Sequence, residues 1–251
     1  QRRMANIHID VDPAEIGKNM QSTLPLVGNA KVILGQLMER GARADCGEWR
    51  EMLQDLRRTN LGRGYPTKEG YVFPGRLLRL LGEGLKEDAA VCVDVGQNQI
   101  WACKHLRLNG ARFLTSGGLG TMGYAIPCAI GVKTAQPGRQ VVAICGDGSF
   151  QMSMNELATM KAGGFDLKIV LLRNGVLGLV NQIQSKEPYH GPFGVRLEGD
   201  PDFAAIAAAY GVPSLTLRDE AKVEETLDRF LNMEGPCLLI AEVSPEWKTT
   251  D

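Results

Sequence analysis

No apolar run in the 251 residues approaches the roughly 20 that a membrane-spanning helix needs, so insertion as a helix is excluded. No secretory signal pattern precedes the first strand either. Neither sign of charge is in excess. With 28 basic against 29 acidic residues the net charge is −1, which argues against nucleic acid or an anionic membrane surface as a partner. Histidine is scarce, and His8, His105 and His190 are too scattered for a zinc site. The six cysteines, at 46, 92, 103, 128, 145 and 237, form neither a CxxC motif nor a tight disulfide framework. Cys92, Cys128, Cys145 and Cys237 fall in apolar patterns, where a free thiol behaves as a small hydrophobe. The thiols read as reduced, and the expected location is cytoplasmic. A nicotinamide or flavin Rossmann fingerprint is also missing. Gly118–Gly123 reads G-L-G-T-M-G, but that match is one of spacing alone, and Asp147 follows too late to be the ribose ligand.

What the chain does have lies between Gly146 and Asn174. An apolar strand, Val141–Cys145, runs into Gly146-Asp147-Gly148-Ser149, and a second apolar strand ends at Asn174, twenty-seven positions after Asp147. A carboxylate and a carboxamide at adjacent strand ends are hard oxygen ligands suited to Mg²⁺ or Ca²⁺. Gly146 and Gly148 allow close backbone approach, and the N–H groups of Gly148 and Ser149 face whatever anion the cation carries. Ser153-x-x-Glu156 reads as a capping box opening a helix there. Together these features have the logic of a diphosphate site.

From Val91 onward, strand and helix patterns alternate. Val91–Val95, Arg112–Leu114, Val141–Cys145, Lys168–Leu172, Ser214–Leu217 and Cys237–Glu242 read as strands; Thr121–Thr134, Ser153–Ala162, Phe203–Tyr210 and Ala221–Met233 read as helices. Runs such as Ile169-Val170-Leu171-Leu172 suit parallel strands buried on both faces. The expected fold is therefore α/β, a doubly wound, mostly parallel sheet with helices on both faces, its ligands at the carboxyl strand ends. The first ninety residues differ. Asn6–Pro13 reads as a strand and turn, Ala30–Arg40 and Glu48–Arg58 as helices, and Gly62–Gly75 as rich in Gly, Pro and charge. The expected division is 1–40 as a remnant of a preceding domain, 41–75 as a helical linker and 76–251 as the ligand-binding domain.

The Gly146–Asn174 stretch resembles the thiamine-diphosphate motif, GDG followed after about two dozen residues by NN, of the decarboxylases and carboligases. Thr115–Gly123 and Asp94–Gln99 resemble two further loops of acetolactate synthases, in the same order. The resemblance implies Mg²⁺ held by Asp147, the Asn174 side chain and the main-chain carbonyl of Val176. It implies thiamine diphosphate held by Gly96, Gln97, Asn98, Gly120, Met122, Gly146, Gly148, Ser149, Leu177 and Gly178, with Met122 wedged beneath the cofactor. Two positions depart from the pattern: Arg173 replaces the first Asn of the pair, and Asn98 replaces a His.

The same resemblance implies that an activating Glu lies on a missing pyrimidine-binding domain, of the same or a neighbouring polypeptide, so no catalytic residue is assigned within this chain. Gln1 is no initiator Met, and HIDVDPAEIGKN resembles the last strand of the central domain, so the chain reads as the C-terminal part of a longer polypeptide or as a split subunit. Alone it is expected to be catalytically incompetent. Gly175–Gln184 resembles GYLGMVRQWQ, which brings Leu177 and Val180 toward the thiazolium; Ile183 stands in place of the Trp that shapes the second-substrate pocket. Lys186–Gly199 is either a lid or an ordinary surface loop. The implied substrate is pyruvate or a related 2-oxo acid, with homo-oligomerisation through the face around Met122 and Leu177. FAD is possible, as some acetolactate synthases bind it mainly through the central domain. A 2-oxo acid decarboxylase, a pyruvate oxidase relative and a non-catalytic docking subunit are the alternatives.

Overall fold

A computed structural model describes residues 5–41, 45–61, 64–186 and 190–250. Two compact units divide the chain, Gln1–Arg63 and Gly64–Asp251. In the first, β1 (Ile7–Asp10) pairs in parallel with β2 (Leu24–Val27), so the expected lone strand has a neighbour. Helix α1 (Ala30–Glu39) follows, capped by the Asn29 side chain accepting the Lys31 N–H at 3.0 Å. Helix α2 (Gly47–Leu61) carries Trp49, Met52, Leu53 and Leu56 at helical spacing, all exposed.

The second unit contains α3 (Pro74–Glu83), β3 (Ala90–Val93), α4 (Gln97–His105), β4 (Arg112–Thr115), α5 (Ala125–Ala135), β5 (Val141–Gly146), α6 (Asp147–Ser153) and α7 (Glu156–Ala162). There follow β6 (Lys168–Arg173), α8 (Gly178–Gln184), α9 (Phe203–Ala209), β7 (Ser214–Leu217), α10 (Val223–Asn232) and β8 (Cys237–Glu242). The strands form one parallel sheet in the order β4-β3-β5-β6-β8-β7. The chain leaves β3 toward one edge and β5 toward the other. This makes the carboxyl ends of β3 and β5 a topological switch point, where open α/β sheets bind ligands.

Side-chain alternation along each strand sorts the core into two layers. Val91, Val93, Val142, Ile144, Val170 and Leu239 face α3, α4 and α10, meeting Leu77, Trp101 and Phe230. Cys92, Ala143, Cys145, Ile169, Leu171 and Leu238 face the other way, meeting Ile126, Phe150, Leu157 and Phe203. Phe150 is fully buried one turn into α6, its ring edge-on to Phe203 at 5.4 Å between centroids. Phe150→Ala should therefore cost about 3–5 kcal/mol in urea unfolding, the usual range for emptying such a site; a loss below about 1 kcal/mol would mean the ring is not packed as described.

Two helix starts differ from expectation. The helix after β5 opens at Asp147, six residues before Ser153, because the Ser149 hydroxyl accepts the Gly146 N–H at 3.2 Å. Ser153 is the last residue of α6 and its hydroxyl is buried without a partner, so the Ser153–Glu156 capping box does not form. The helix expected from Thr121 begins at Ala125. Positive φ at Gly120 (66°) and Gly123 (80°) turns the preceding segment out of helix, and the distant Asp94 carboxylate accepts the N–H groups of Gly123 and Ala125. All six cysteines are free. No helix among the described residues is long and apolar enough to cross a membrane.

Candidate functional site

Three strand ends build the site. At the end of β3, Gly96 has a φ of 142°, and α4 starts with Gln97 and Asn98, both buried. Asn98 donates to the Asp94 carbonyl at 2.6 Å. Gln97 donates through Nε2 to the Trp247 carbonyl at 3.1 Å and to Gln182 at 3.2 Å, while its Oε1 accepts from the Asn174 amide at 3.2 Å. At the end of β5, Asp147 is only 2% exposed. Its Oδ1 accepts the Gly148 N–H at 2.9 Å, and its Oδ2 accepts the N–H groups of Asn174 at 2.8 Å and Gly175 at 2.6 Å, just past β6. The Asn174 Oδ1 in turn accepts the Val176 N–H at 3.1 Å.

Burial pushes the Asp147 carboxyl up to about 6, although N–H donors from Gly175 and Asn174 pull the other way and nearby Asp200 pushes further up. Among the described residues, no Lys, Arg or His forms an ion pair with this buried carboxylate. Asp94, also buried, is likewise raised by burial, opposed by the N–H groups of Ala125, Val95 and Gly123. Asp94 thereby organises the loop before α5, a role that a short Asp-Val-Gly sequence does not announce.

These groups line a narrow cavity of about 60 Å³. Gly96, Gln97, Asn98, Met122, Gly146, Asp147, Gly148, Ser149, Asn174, Val176, Leu177 and Gly178 all face it. Gly120 does not line it; it closes a turn by donating to the Ser116 carbonyl at 2.9 Å. The glycines are sterically required. A Cβ on Gly96 would lie 2.6 Å from Asn98 Oδ1, one on Gly148 2.6 Å from Leu177 Cδ2, and one on Gly178 would run into Gln97 Oε1. Val95, Trp101, Leu172, Leu179 and Val180 complete the walls, and Trp247 and Thr249 hold Gln97 and Gln182 from the C-terminal tail. Sequence carried no sign of these, since a tail contact across 150 positions leaves no periodicity.

Beyond Val176, the 175–177 backbone pairs with 195–197: Leu177 donates to Val195 at 2.7 Å and Leu197 to Gly175 at 3.0 Å. The far end of the Lys186–Gly199 stretch, read as either a lid or an ordinary surface loop, is thus fastened beside the site; Glu187, Pro188 and Tyr189 lie outside the described residues. A larger cavity of about 540 Å³ sits at the opposite, amino ends of β5 and β6. There Lys168 is already satisfied by Asp166 and the carbonyls of Met233 and Gly235, so volume alone does not mark a site. Among the described residues no three His, Cys, Asp or Glu side chains gather as a metal cluster, so a cation here would depend on amide and main-chain oxygens beside Asp147.

A doubly wound parallel sheet presenting a buried carboxylate, a carboxamide and a glycine cradle at its switch point defines an α/β ligand-binding domain. The particular family follows: the chain belongs to the thiamine pyrophosphate enzymes, matching their C-terminal TPP binding domain over residues 94–241. It is 37% identical over 249 residues to the acetolactate synthase of Arthrospira platensis, covering 95% of this chain and 42% of that protein. The acetolactate synthase large subunit of Corynebacterium glutamicum is 39% identical over 233 residues, 88% of this chain and 36% of the relative. The isozyme 2 large subunit of Escherichia coli is 38% identical over 248 residues, 96% and 44% respectively. The chain therefore spans about two fifths of the length of these relatives.

Proposed function

We propose that this chain is the diphosphate- and Mg²⁺-binding part of a thiamine-diphosphate-dependent carboligase acting on pyruvate or a related 2-oxo acid, as in acetolactate synthases. The observation that carries this is the buried Asp147 carboxylate, 2.8 Å from the Asn174 N–H and 2.6 Å from that of Gly175 at the neighbouring strand tip. A buried acid with no cationic partner among the described residues suits a divalent ion, and the donor set suits Mg²⁺: Asp147, the Asn174 carboxamide and the Val176 carbonyl. At Gly96, Gly148 and Gly178 a Cβ would strike Asn98, Leu177 or Gln97, so the backbone packs tightly against these cavity-lining side chains, which supports a closely built site.

When bound, thiamine diphosphate supplies the carbon nucleophile and electron sink for decarboxylating a 2-oxo acid and joining the product to a second carbonyl. This chain's residues bind and orient. Gln97 and Asn98 line the diphosphate end, Ser149 presents its N–H there while the Gly148 N–H is taken by Asp147 Oδ1, and Gly120, Met122 and Leu177 belong to the cofactor's other flank. The proton-relaying Glu is assigned to a pyrimidine-binding domain outside this chain. Glu156 is a poor substitute, because its carboxylate accepts from Thr159 at 2.8 Å and from Asn155 at 3.2 Å on the surface of α7.

Val180 lines the cavity and is exposed, as are Leu119, Ile183 and Phe193, which supports a face made for that partner and for homo-oligomerisation. Ile183 on α8 leaves a smaller, aliphatic wall for the second substrate than Trp would, which weakens any claim to a 2-oxobutyrate preference; a simple 2-oxo acid decarboxylase or pyruvate oxidase relative is the second candidate. Calorimetry of thiamine diphosphate with and without Mg²⁺ tests the binding role: saturable, Mg²⁺-dependent heat is expected. Absence of binding, or pyruvate turnover by the chain alone, would refute the respective halves of the proposal.

A further inference from the structure

Arg173 stands where the thiamine-diphosphate motif has its first amide, and its surroundings account for the exchange. It is the last residue of β6, directly before Asn174. Its Nε donates to Asp200 Oδ2 and its Nη1 to Glu242 Oε1, each at 2.9 Å, and its guanidinium lies 5.8 Å from the Phe203 ring centre. Glu242 ends β8, and the Val243 N–H donates to the Arg173 carbonyl at 2.7 Å. The other oxygen of Asp200 accepts from Gln151 at 3.2 Å, and Gln151 sits one turn into α6, the helix that Asp147 begins. Glu242, Arg173, Asp200 and Gln151 thus form one chain of bonds behind the site. It joins the tip of β8, the tip of β6 and the first turn of α6.

We propose that Arg173 is a positioning residue: gripping Asp200 and Glu242, it locks the Asn174-Gly175 turn of β6 against α6, so that Asp147 and Asn174 hold their spacing before a cation arrives. This rests on the cofactor assignment above. A neutral carboxamide at 173 is too short to span both acids, whereas the planar guanidinium reaches both with separate N–H groups. Asp200 is only 9% exposed at its side chain, so without Arg173 it becomes a nearly buried, unpaired charge and its hold on Gln151 loosens.

The test uses the full chain with Arg173→Ala, Arg173→Lys and the double variant Arg173→Ala/Asp200→Asn. Amide hydrogen exchange at Asn174 and Gly175 is read without cofactor, and Mg²⁺ affinity is read by calorimetry at saturating thiamine diphosphate. Arg173→Ala should exchange at both amides at least about tenfold faster and bind Mg²⁺ about tenfold more weakly. Arg173→Lys should recover only part, because an ammonium cannot hold both acids in one plane. The double variant should stay as weak as the alanine variant, since the tether is still missing. Unchanged exchange with Mg²⁺ affinity within about twofold overturns the proposal, as does full recovery in the double variant, which would assign the effect to the charge of Asp200 alone. If Arg173→Ala does not fold, the same comparison is made on Arg173→Lys. If the unaltered chain fails to bind Mg²⁺ and thiamine diphosphate, the cofactor assignment falls, while the exchange rates still decide whether Arg173 positions the turn.

Discussion

Asp147→Asn is expected to abolish the proposed Mg²⁺-dependent binding of thiamine diphosphate and to remove a pH-dependent loss of stability from the cofactor-free chain. The first effect follows from charge. An amide cannot supply the anionic ligand, and a loss of at least about 100-fold in Mg²⁺ affinity, or about 2.8 kcal/mol, is expected in calorimetry. The second follows from burial. The carboxyl rises from an ordinary value of 3.8 to about 6, so the folded chain holds that proton more tightly than the unfolded chain does. Stability from this group is fully present below about pH 4 and is lost as pH rises through about 6. The loss is on the order of 3 kcal/mol, because each pKa unit corresponds to about 1.4 kcal/mol. Urea unfolding at pH 4 and pH 7, without metal, should therefore show the difference between the unaltered chain and Asp147→Asn changing in favour of the variant at the higher pH. Parallel pH curves for the two proteins would contradict a buried, unpaired carboxylate at this position.

Gly178→Ala should disable the same site by sterics with no change of charge. The new methyl would collide with Gln97 Oε1 and come within 2.6 Å of its Cδ and 3.0 Å of Asn174 Nδ2. Gln97 cannot swing away freely, being tied to the Trp247 carbonyl, to Gln182 and to Asn174. Overpacking of this kind costs about 1–3 kcal/mol, which for a unit of this size lowers the melting temperature by roughly 2–4 °C per kcal/mol. Because the displaced Gln97 and Asn174 are the proposed diphosphate and cation contacts, thiamine diphosphate affinity should fall by more than about tenfold. Gly131→Ala is the control. That glycine lies within α5 with nothing inside 4 Å of a built Cβ, so alanine there should be neutral or stabilising by up to about 1 kcal/mol. Equal behaviour of the two variants would show that the cradle is not sterically closed.

Some of this was legible in the residues and some was not, for definite reasons. The central strands were visible because parallel strands buried on both faces read as unbroken apolar runs, as Val141–Cys145 and Lys168–Leu172 do. Helix α3 was legible in principle: Pro74 at its first turn and Leu77, Leu78 and Leu81 on one face are a helix signature, masked by the glycines and charges just before it. Helix α4 was not, since it buries the polar Gln97 and Asn98 alongside Trp101 and Ala102, so its inward face does not read as an apolar stripe. Helix α6 was hidden behind a plausible cap at Ser153, because the Ser149 hydroxyl meeting the Gly146 N–H is a contact that the sequence does not distinguish from other serine turns.

By itself the sequence determined the parallel α/β class and the pairing of an acidic glycine turn with a downstream Asn, because burial and backbone freedom act over a few neighbouring residues. Only the tertiary structure decided that β3 lies beside β5, so that Gln97 meets Asn174 across 77 positions, and that Arg173 is braced by Asp200 and Glu242. Strand order and long-range hydrogen bonds arise from packing whole layers together, and no local run of residues carries that information.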